Sequence, residues 1–169
     1  MNRSLLSMVL LVGFVFTGAA QALTINPKSV HPVVKDKIYR GGTSGGSYGT
    51  PVTDFQFACE NNFTFVVNAY SNAPAKQVRC DDGREITYVG NHWKRPVAGR
   101  DDLLVDEVRR NGKILVHCRY GVDASQQVAY IIAARAGLMS VEEAAERFLK
   151  APAGTPHKPM VPNILRRGR

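Results

Sequence analysis

The stretch KILVHCRYGVDAS, residues 113–125, constrains the fold of this chain more than any other part of the sequence. Its aliphatic first half predicts a buried strand, which leads into His117 and Cys118. The apolar segment that follows, from Ser125 to Ala136, predicts a long helix that Gly137 ends. A strand that passes through a short loop directly into a helix is typical of parallel α/β folds.

The loop between this strand and this helix is predicted to bind an anion. A tight loop at a helix N-terminus directs several backbone N–H groups toward one centre, where the positive end of the helix dipole adds to their field. Cys118 is at the base of the loop, and the same field favours the ionised thiolate, which is a nucleophile. The sequence therefore predicts a tetrahedral anion bound directly over the sulfur of Cys118.

Strands alternate with helices over most of the chain. The predicted strands are 37–40, 63–67 and 86–89, and the other predicted helices are 51–60, 101–110 and 141–150. The Gly- and Ser-rich segment 41–50 is predicted to be a loop, and the Pro-rich tail after Lys150 is predicted to be irregular. This alternation predicts an α/β fold with a central, mainly parallel sheet flanked by helices on both faces.

Residues 1–22 have the three parts of a secretory signal peptide. Arg3 supplies a positive start, Leu5–Phe16 is mostly apolar, and Ala20-Gln21-Ala22 offers a cleavage site between small residues. The apolar run is shorter than the roughly 20 residues that a membrane-spanning helix needs, so we expect no stable membrane insertion after cleavage. An uncleaved N-terminal anchor is the alternative. The sequence thus predicts an exported protein, periplasmic or secreted, with a single domain over residues 23–169.

The charge of the chain predicts the chemistry of its partners. The formal net charge is +8, which favours anionic partners. Basic and aromatic residues are not interleaved as they are in proteins that bind single-stranded nucleic acid, so no nucleic-acid partner is predicted. The histidines outside the loop are isolated and lack the spacing of metal ligands, so neither a metal nor another cofactor is predicted.

Three cysteines are present, at positions 59, 80 and 118. In an oxidising compartment an odd number allows at most one intramolecular disulfide and leaves one thiol. Because the loop requires a free thiolate at Cys118, Cys59 and Cys80 are the predicted pair. The alternative is that Cys59 is simply buried on the face of a helix.

The loop also carries a resemblance to a known family. The pattern His117-Cys118-x-x-Gly121-x-x-Ala124-Ser125 resembles the His-Cys-x5-Arg-Ser/Thr signature of the protein-tyrosine and dual-specificity phosphatases. Two further segments, IYRGG at 38–42 and FVVN at 65–68, resemble strands of the dual-specificity phosphatases. The resemblance extends from about Lys37 to Gly137 and implies a cysteine-phosphatase-like domain.

The resemblance implies a role for each residue of the loop. Cys118 would be the nucleophile and would form a phosphocysteine, and Ser125 would hydrogen-bond the sulfur and help it leave. His117 would position the loop rather than act as a base. The phosphate oxygens would be held by the backbone amides of Arg119, Tyr120, Gly121, Val122, Asp123 and Ala124.

Ala124 departs from the family pattern because it stands where the signature has arginine. The family's arginine pairs with two phosphate oxygens and follows them into the transition state. Its loss predicts turnover slowed by about 10³-fold or more, by comparison with other charge-stabilising groups. Arg40 and Arg100 are candidates to reach into the cradle in its place.

The general acid is a second departure. The family places an aspartate on a mobile loop before the signature strand, but here that loop is His92-Trp93-Lys94-Arg95-Pro96. The nearest carboxylates are Asp101, the first candidate for the acid, and Asp102. The alternative role of both is to cap the helix that follows.

Three functions remain open from the sequence. The first is hydrolysis of phosphate monoesters, with phosphotyrosine or an inositol phosphate as the substrate, and Lys94, Arg95 and Arg119 favour a polyanion. The second is a pseudophosphatase that binds a phosphorylated ligand without turnover. The third is a rhodanese-type sulfurtransferase, because Cys118-Arg119-x-Gly121 also resembles the loop of those enzymes.

Overall fold

The computed structural model describes residues 22–151 and 158–169. The predicted signal peptide lies outside the described residues, except for Ala22. Within the described part of the chain, no helix has the length and apolar character needed to cross a membrane.

Six strands form one sheet, in the spatial order β1-β2-β6-β3-β5-β4. The strands are β1 Ile25–Val34, β2 Ile38–Thr43, β3 Phe65–Asn68, β4 Lys76–Arg79, β5 Glu85–Gly90 and β6 Ile114–His117. The four central strands are parallel, and β1 and β4 pair antiparallel at the two edges. The predicted α/β class with a mainly parallel sheet is therefore confirmed.

The helices alternate with the strands only in part, because β3, β4 and β5 follow one another without a helix between them. The helices are α1 Gln56–Glu60, α2 Arg100–Arg109, α3 Asp123–Arg135, α4 Val141–Lys150 and α5 Val161–Arg167, and a 3-10 turn, Lys158–Met160, precedes α5. The hydroxyl of Ser140 accepts a hydrogen bond from the backbone N–H of Glu143 at 3.0 Å and so caps the N-terminus of α4.

Strand β6 lies at the centre of the sheet, and its side chains alternate between two apolar layers. Ile114 and Val116 pack into the larger layer, which α2, α3, α4 and α5 cover. Leu115 packs into a smaller layer on the opposite face, together with α1. Because both faces are covered, β6 is apolar at successive positions and fully buried. The loop that follows β6 therefore begins at a fully buried strand end.

The disulfide lies in the smaller layer. The sulfur atoms of Cys59 and Cys80 are bonded, and the two Cα atoms are 5.7 Å apart. Cys59 is in α1 and Cys80 follows β4, so the bond joins this helix to the edge of the sheet. Cys118 is buried and unbonded.

Several segments differ from the sequence predictions. Strand β1 was not predicted, and β2 continues to Thr43, into the segment that was predicted to be a loop. Helix α1 begins at Gln56 rather than near Pro51, because the backbone N–H groups of Thr53 and Asp54 both bond to the carbonyl of Leu23. Strand β4 was not predicted, since it is a mostly exposed edge strand without apolar alternation. The tail after Lys150 is not wholly irregular, because α5 forms there around the buried Ile164.

Candidate active site

The loop between β6 and α3 is held against the end of β2 by backbone contacts. The N–H of Cys118 bonds to the carbonyl of Gly41 at 3.2 Å, and the N–H of Thr43 bonds to the carbonyl of Arg119 at 3.0 Å. Between these bonds, Gly42 and Tyr120 form an isolated bridge. The loop is thus anchored on one side before it turns into the helix.

Gly121 is required by the shape of this loop. Its φ is +73°, in the left-handed region that glycine adopts without strain. A Cβ at this position would lie 2.6 Å from the carbonyl carbon of Gly41 and from the nitrogen of Gly42. No side chain fits there, so glycine lets the loop approach the backbone of β2 closely.

The sulfur of Cys118 has two hydrogen-bonding neighbours. The N–H of Gly121 donates to Sγ at 3.2 Å, and Oγ of Ser125 lies 3.3 Å from Sγ. Both groups can donate to a thiolate, and Cys118 lies at the N-terminal end of the thirteen-residue helix α3. The sulfur therefore lies where two hydrogen-bonding groups and the start of α3 meet.

Arg40 supports the loop rather than the anion. Its buried guanidinium donates from Nη1 to the carbonyl oxygen of Gly121. The side chain lines a second cavity, with His31 and Tyr130, and not the cleft above Cys118. Burial lowers the pKa of Arg40, while the nearby Tyr130 and Cys118 oppose the shift. The suggestion that Arg40 replaces the missing arginine is therefore not supported by its position.

His117 is a neutral, buried residue beneath the loop. The hydroxyl of Tyr88 lies 3.3 Å from Nε2 of His117, and the two rings stack. That hydroxyl accepts from the N–H of Val52 and the amide of Asn68, so its proton is left to donate to Nε2. Burial lowers the pKa of His117 from 6.5 to about 3. This arrangement fits a residue that orients the strand end and does not fit a general base.

A cleft of about 990 Å³ opens above Cys118. One wall is aromatic, with the ring centroids of Tyr48 and Tyr70 5.1 Å apart and Trp93 6.5 Å from Tyr70. Lys94 and Arg95 add positive charge. The remaining residues that line the cleft are Tyr120, Val122, Asp123, Ala124, Pro159, Met160 and Asn163.

The predicted phosphate-binding residues divide between the cleft and its support. Tyr120, Val122, Asp123 and Ala124 line the cleft, and Gly121 gives its N–H to the sulfur. Arg119 does not line the cleft, because its guanidinium lies over the rings of Tyr120 and Tyr48, with centroid distances of 4.9 and 5.7 Å. Its charge is held outside the cradle by cation–π contacts.

Ala124 occupies the first turn of α3 and is fully buried. It lines the cleft with a methyl group, so position 124 supplies no charged donor. Arg100, at the start of α2, is not among the residues that line the cleft either. The positive charge that the cleft offers to an anion thus comes from Lys94 and Arg95.

The structure does not place Asp101 where a general acid must act. Its buried carboxylate accepts from Nε and Nη2 of Arg167 at 3.1 and 2.8 Å and from the amide of Asn91 at 2.9 Å. Nη1 of Arg135 lies a further 3.7 Å away. A general acid must reach the leaving group, but both oxygens of Asp101 are engaged by these donors and Asp101 is not among the residues that line the cleft. Neither does Asp101 cap α2, because the N-cap is Gly99.

Asp102 is also turned away from the cleft. Its largely exposed carboxylate pairs with Nη2 of Arg135. The carboxylate-bearing residue that does line the cleft is Asp123, the first residue of α3. Burial, reinforced by the charges of Cys118, Tyr48 and Asp123, raises the pKa of Tyr70, so its hydroxyl remains protonated in the cleft.

The aromatic wall was not predicted, although the position of Tyr70 after β3 could have indicated it. Tyr70 follows the carboxyl end of β3, and β3 pairs with β6 in parallel, with Asn68 opposite His117. Because the carboxyl ends of parallel strands share one edge of the sheet, a side chain just after β3 comes close to Cys118. Tyr48 has no such signal, because a Gly- and Ser-rich loop carries it.

The fold is that of the cysteine-dependent phosphatases, with a cysteine loop between the central strand and the following helix. Crystal structures of similar fold include that of DUSP15, with a TM-score of 0.53 and 15% sequence identity, over 83% of this chain and 87% of that chain. Those of P. aeruginosa TpbA and the Cydia pomonella PTP-2 phosphatase have TM-scores of 0.52 and 0.50. Their identities are 15% and 17%, over 88% and 82% of this chain and 91% and 89% of theirs. No protein-family model matches the sequence, and no curated protein matches it significantly.

Proposed function

We propose that this chain is an exported member of the protein-tyrosine and dual-specificity phosphatase superfamily. Its Cys118 loop binds phosphate monoesters, and Ala124 strongly slows their hydrolysis. The observation that carries this proposal is the sulfur of Cys118, which lies at the start of α3 with the N–H of Gly121 and the hydroxyl of Ser125 beside it. A tetrahedral anion in that position meets a thiolate in line with its ester bond.

The walls of the cleft support a polyanionic phosphate monoester as the ligand. Lys94 and Arg95 line the cleft and supply positive charge beyond the loop. Tyr48, Tyr70 and Trp93 provide flat apolar surface for an aromatic or ring-shaped group. Phosphotyrosine in a peptide and an inositol phosphate both have these features.

The expected rate follows from the residue at position 124. The loop amides and the helix dipole are independent of that side chain, so ground-state binding of phosphate is retained. Stabilisation of the transition state loses its bidentate donor, which lowers turnover by about 10³-fold or more. The second candidate is therefore a phosphate-binding pseudophosphatase. Among residues 22–151 and 158–169, no contact favours a sulfurtransferase.

The decisive experiment compares the natural chain with Ala124→Arg and with Cys118→Ser. Trp93 is the only tryptophan of the chain and lines the cleft, so its fluorescence reports binding of tungstate, an oxyanion that resembles phosphate. We expect tungstate to bind the natural chain, and hydrolysis of p-nitrophenyl phosphate to increase by about 10³-fold in Ala124→Arg. Cys118→Ser should abolish that hydrolysis. Absence of tungstate binding would contradict both candidates, and binding without any turnover would favour the pseudophosphatase.

Export is proposed from the N-terminal sequence, with residues 1–22 as the signal peptide. The bond between Cys59 and Cys80 supports this proposal, because disulfides persist in oxidising compartments. Expression of the full chain in bacteria, followed by fractionation and mass measurement, tests it. A product that begins after Ala22 in the periplasm or the medium is expected, whereas an uncleaved chain in the membrane fraction would contradict it.

A further inference from the structure

Helix α5 forms part of the wall of the cleft that contains Cys118. Pro159 and Met160, from the turn before it, and Asn163, from its first turns, line the cleft opposite the loop. Met160 and Ile164 are buried against the larger core layer, so this wall is packed rather than loosely attached. The end of the chain is therefore part of the site.

The same helix also contacts the segment His92–Pro96, which we call the Trp93 loop. Arg167, in the last turn of α5, donates from Nη1 to the carbonyl oxygen of Trp93 at 2.5 Å. The amide of Gln127, from α3, donates to the same carbonyl at 3.1 Å, and the N–H of Trp93 bonds to the carbonyl of Ala69 at 2.9 Å. Trp93 is thus tied to α5, α3 and the end of β3.

Asp101 fixes the direction in which Arg167 can donate. Its two carboxylate oxygens accept hydrogen bonds from Nε and Nη2 of Arg167, so that Nη1 is left to donate to the carbonyl of Trp93. Asp101 and Arg167 are 6% and 7% exposed, so solvent hardly screens the pair. Because the guanidinium is planar and rigid, its contact with the carboxylate also sets the position of the loop carbonyl.

We propose that Arg167 is a positioning residue that, held by Asp101, locks the Trp93 loop and α5 into one fixed wall of the cleft. This role deepens the proposed function, on which its effect on turnover rests. Trp93 and Lys94 remain in place over the cleft before any ligand binds. The same contact transmits any displacement of α5 to the residues that face Cys118.

The test replaces Arg167 with lysine, and Arg169→Lys is the matched control. Lysine keeps the positive charge but cannot donate to two carboxylate oxygens and a carbonyl in one plane. Arg169 is exposed, two residues further along the same end of the chain. The first measurement is acrylamide quenching and the emission maximum of Trp93, well below the unfolding temperature. This measurement needs neither ligand nor activity.

In Arg167→Lys we expect a red-shifted emission and stronger quenching, whereas Arg169→Lys matches the natural chain. Asp101→Asn removes the charge that holds Arg167, so it should give the same change in the emission and quenching of Trp93. The double variant, which combines Asp101→Asn with Arg167→Lys, should change these signals little further. If Arg167→Lys fails to fold, Asp101→Asn alone decides the matter. A Trp93 signal equal to that of the natural chain in the folded variant would overturn the proposal.

The second measurement separates positioning from general stability. In the Ala124→Arg background, Arg167→Lys should lower kcat by roughly 10- to 100-fold, because displacement of a wall spoils the alignment of the substrate. The dissociation constant of tungstate should change little, since the loop amides hold it. An unchanged kcat beside a changed Trp93 signal would overturn the effect on turnover. If tungstate fails to bind the parent, the proposed function fails, while the Trp93 signal still decides the role of Arg167.

Discussion

Arg40 donates a hydrogen bond to the carbonyl oxygen of Gly121, and thereby connects β2 to the turn of the loop that holds Cys118. The carbonyl of Gly121 points toward this guanidinium, while its N–H points to the sulfur. Gly121 therefore links the buried guanidinium of Arg40 to the sulfur of Cys118, the proposed nucleophile. The shape of the loop depends on a side chain that does not line the cleft.

Replacement of Arg40 should damage both stability and anion binding. In Arg40→Gln the buried, charge-assisted bond is lost, which should lower the free energy of unfolding by about 2 kcal/mol. Tungstate affinity, measured through Trp93 fluorescence, should fall because the loop amides are less well fixed. The control is Arg79→Gln, an exposed arginine on β4. Equal tungstate affinity in the two variants would contradict this role for Arg40.

Gly121→Ala tests the close approach of the loop to β2. The alanine must adopt a positive φ and its Cβ meets the backbone of Gly41, so we expect a loss of about 1–3 kcal/mol in the free energy of unfolding and no tungstate binding. Gly83→Ala is a close control, since Gly83 has φ +86° but open space around its Cβ. That control should lose some stability and keep tungstate binding. Tungstate binding by Gly121→Ala would show that the collision is relieved.

Acid should destabilise the protein through His117. Its pKa is 6.5 in its ordinary state and about 3 in the fold, so below pH 6.5 the unfolded chain binds a proton that the folded chain does not. The free energy of unfolding should therefore fall by about 1.4 kcal/mol per pH unit on this account, between about pH 6.5 and pH 3.

Urea unfolding at several pH values measures this slope. His117→Gln should flatten it more than His31→Asn, which removes an exposed histidine whose pKa is also lowered, by partial burial and by Arg40. If His117→Gln does not alter the slope of the unfolding free energy against pH, a group other than His117 causes the acid sensitivity.

The disulfide should contribute to stability without contributing to anion binding. It joins residues separated by 21 positions, and closing a loop of that size corresponds to about 3 kcal/mol in the chain-entropy account. Replacing both Cys59 and Cys80 with serine should lower the free energy of unfolding by that amount and leave tungstate affinity intact at 25 °C. A reductant should destabilise the natural chain and Cys118→Ser equally, and the double variant not at all. Loss of tungstate binding in the double variant would contradict this separation.

The sequence was most informative where local pattern and burial agree. The run 114–117 is apolar on both faces because β6 is central, and a helix follows it directly, so strand, loop and helix were all predictable. Strand β4 was not, because its pairing with β5 depends on backbone bonds of an exposed edge rather than on apolar side chains. Local pattern also indicated nothing of α5, a short helix whose stability comes from packing of Met160 and Ile164.

The role of Asp101 could not be predicted from the sequence. Asp101 has the sequence position of a helix cap, and its partner Arg167 lies 66 residues away. Nothing in the spacing of residues predicts that pairing, because it depends on how α5 returns over α3. Tyr48 likewise reaches the cleft through a Gly- and Ser-rich loop whose path no periodicity describes. The strand, loop and helix around Cys118 were thus predictable from the sequence, whereas the residues that surround the loop required the tertiary structure.

The sheet separates the free thiol of Cys118 from the disulfide between Cys59 and Cys80. Cys80 packs in the layer on one face of the sheet, and Cys118 packs in the layer on the other. Once the strands have assembled, the third thiol has no path to exchange with the bonded pair. Oxidative folding thus needs to avoid a wrong pairing only until β6 is in place, and afterwards the sheet keeps the free thiol of Cys118 apart from the disulfide.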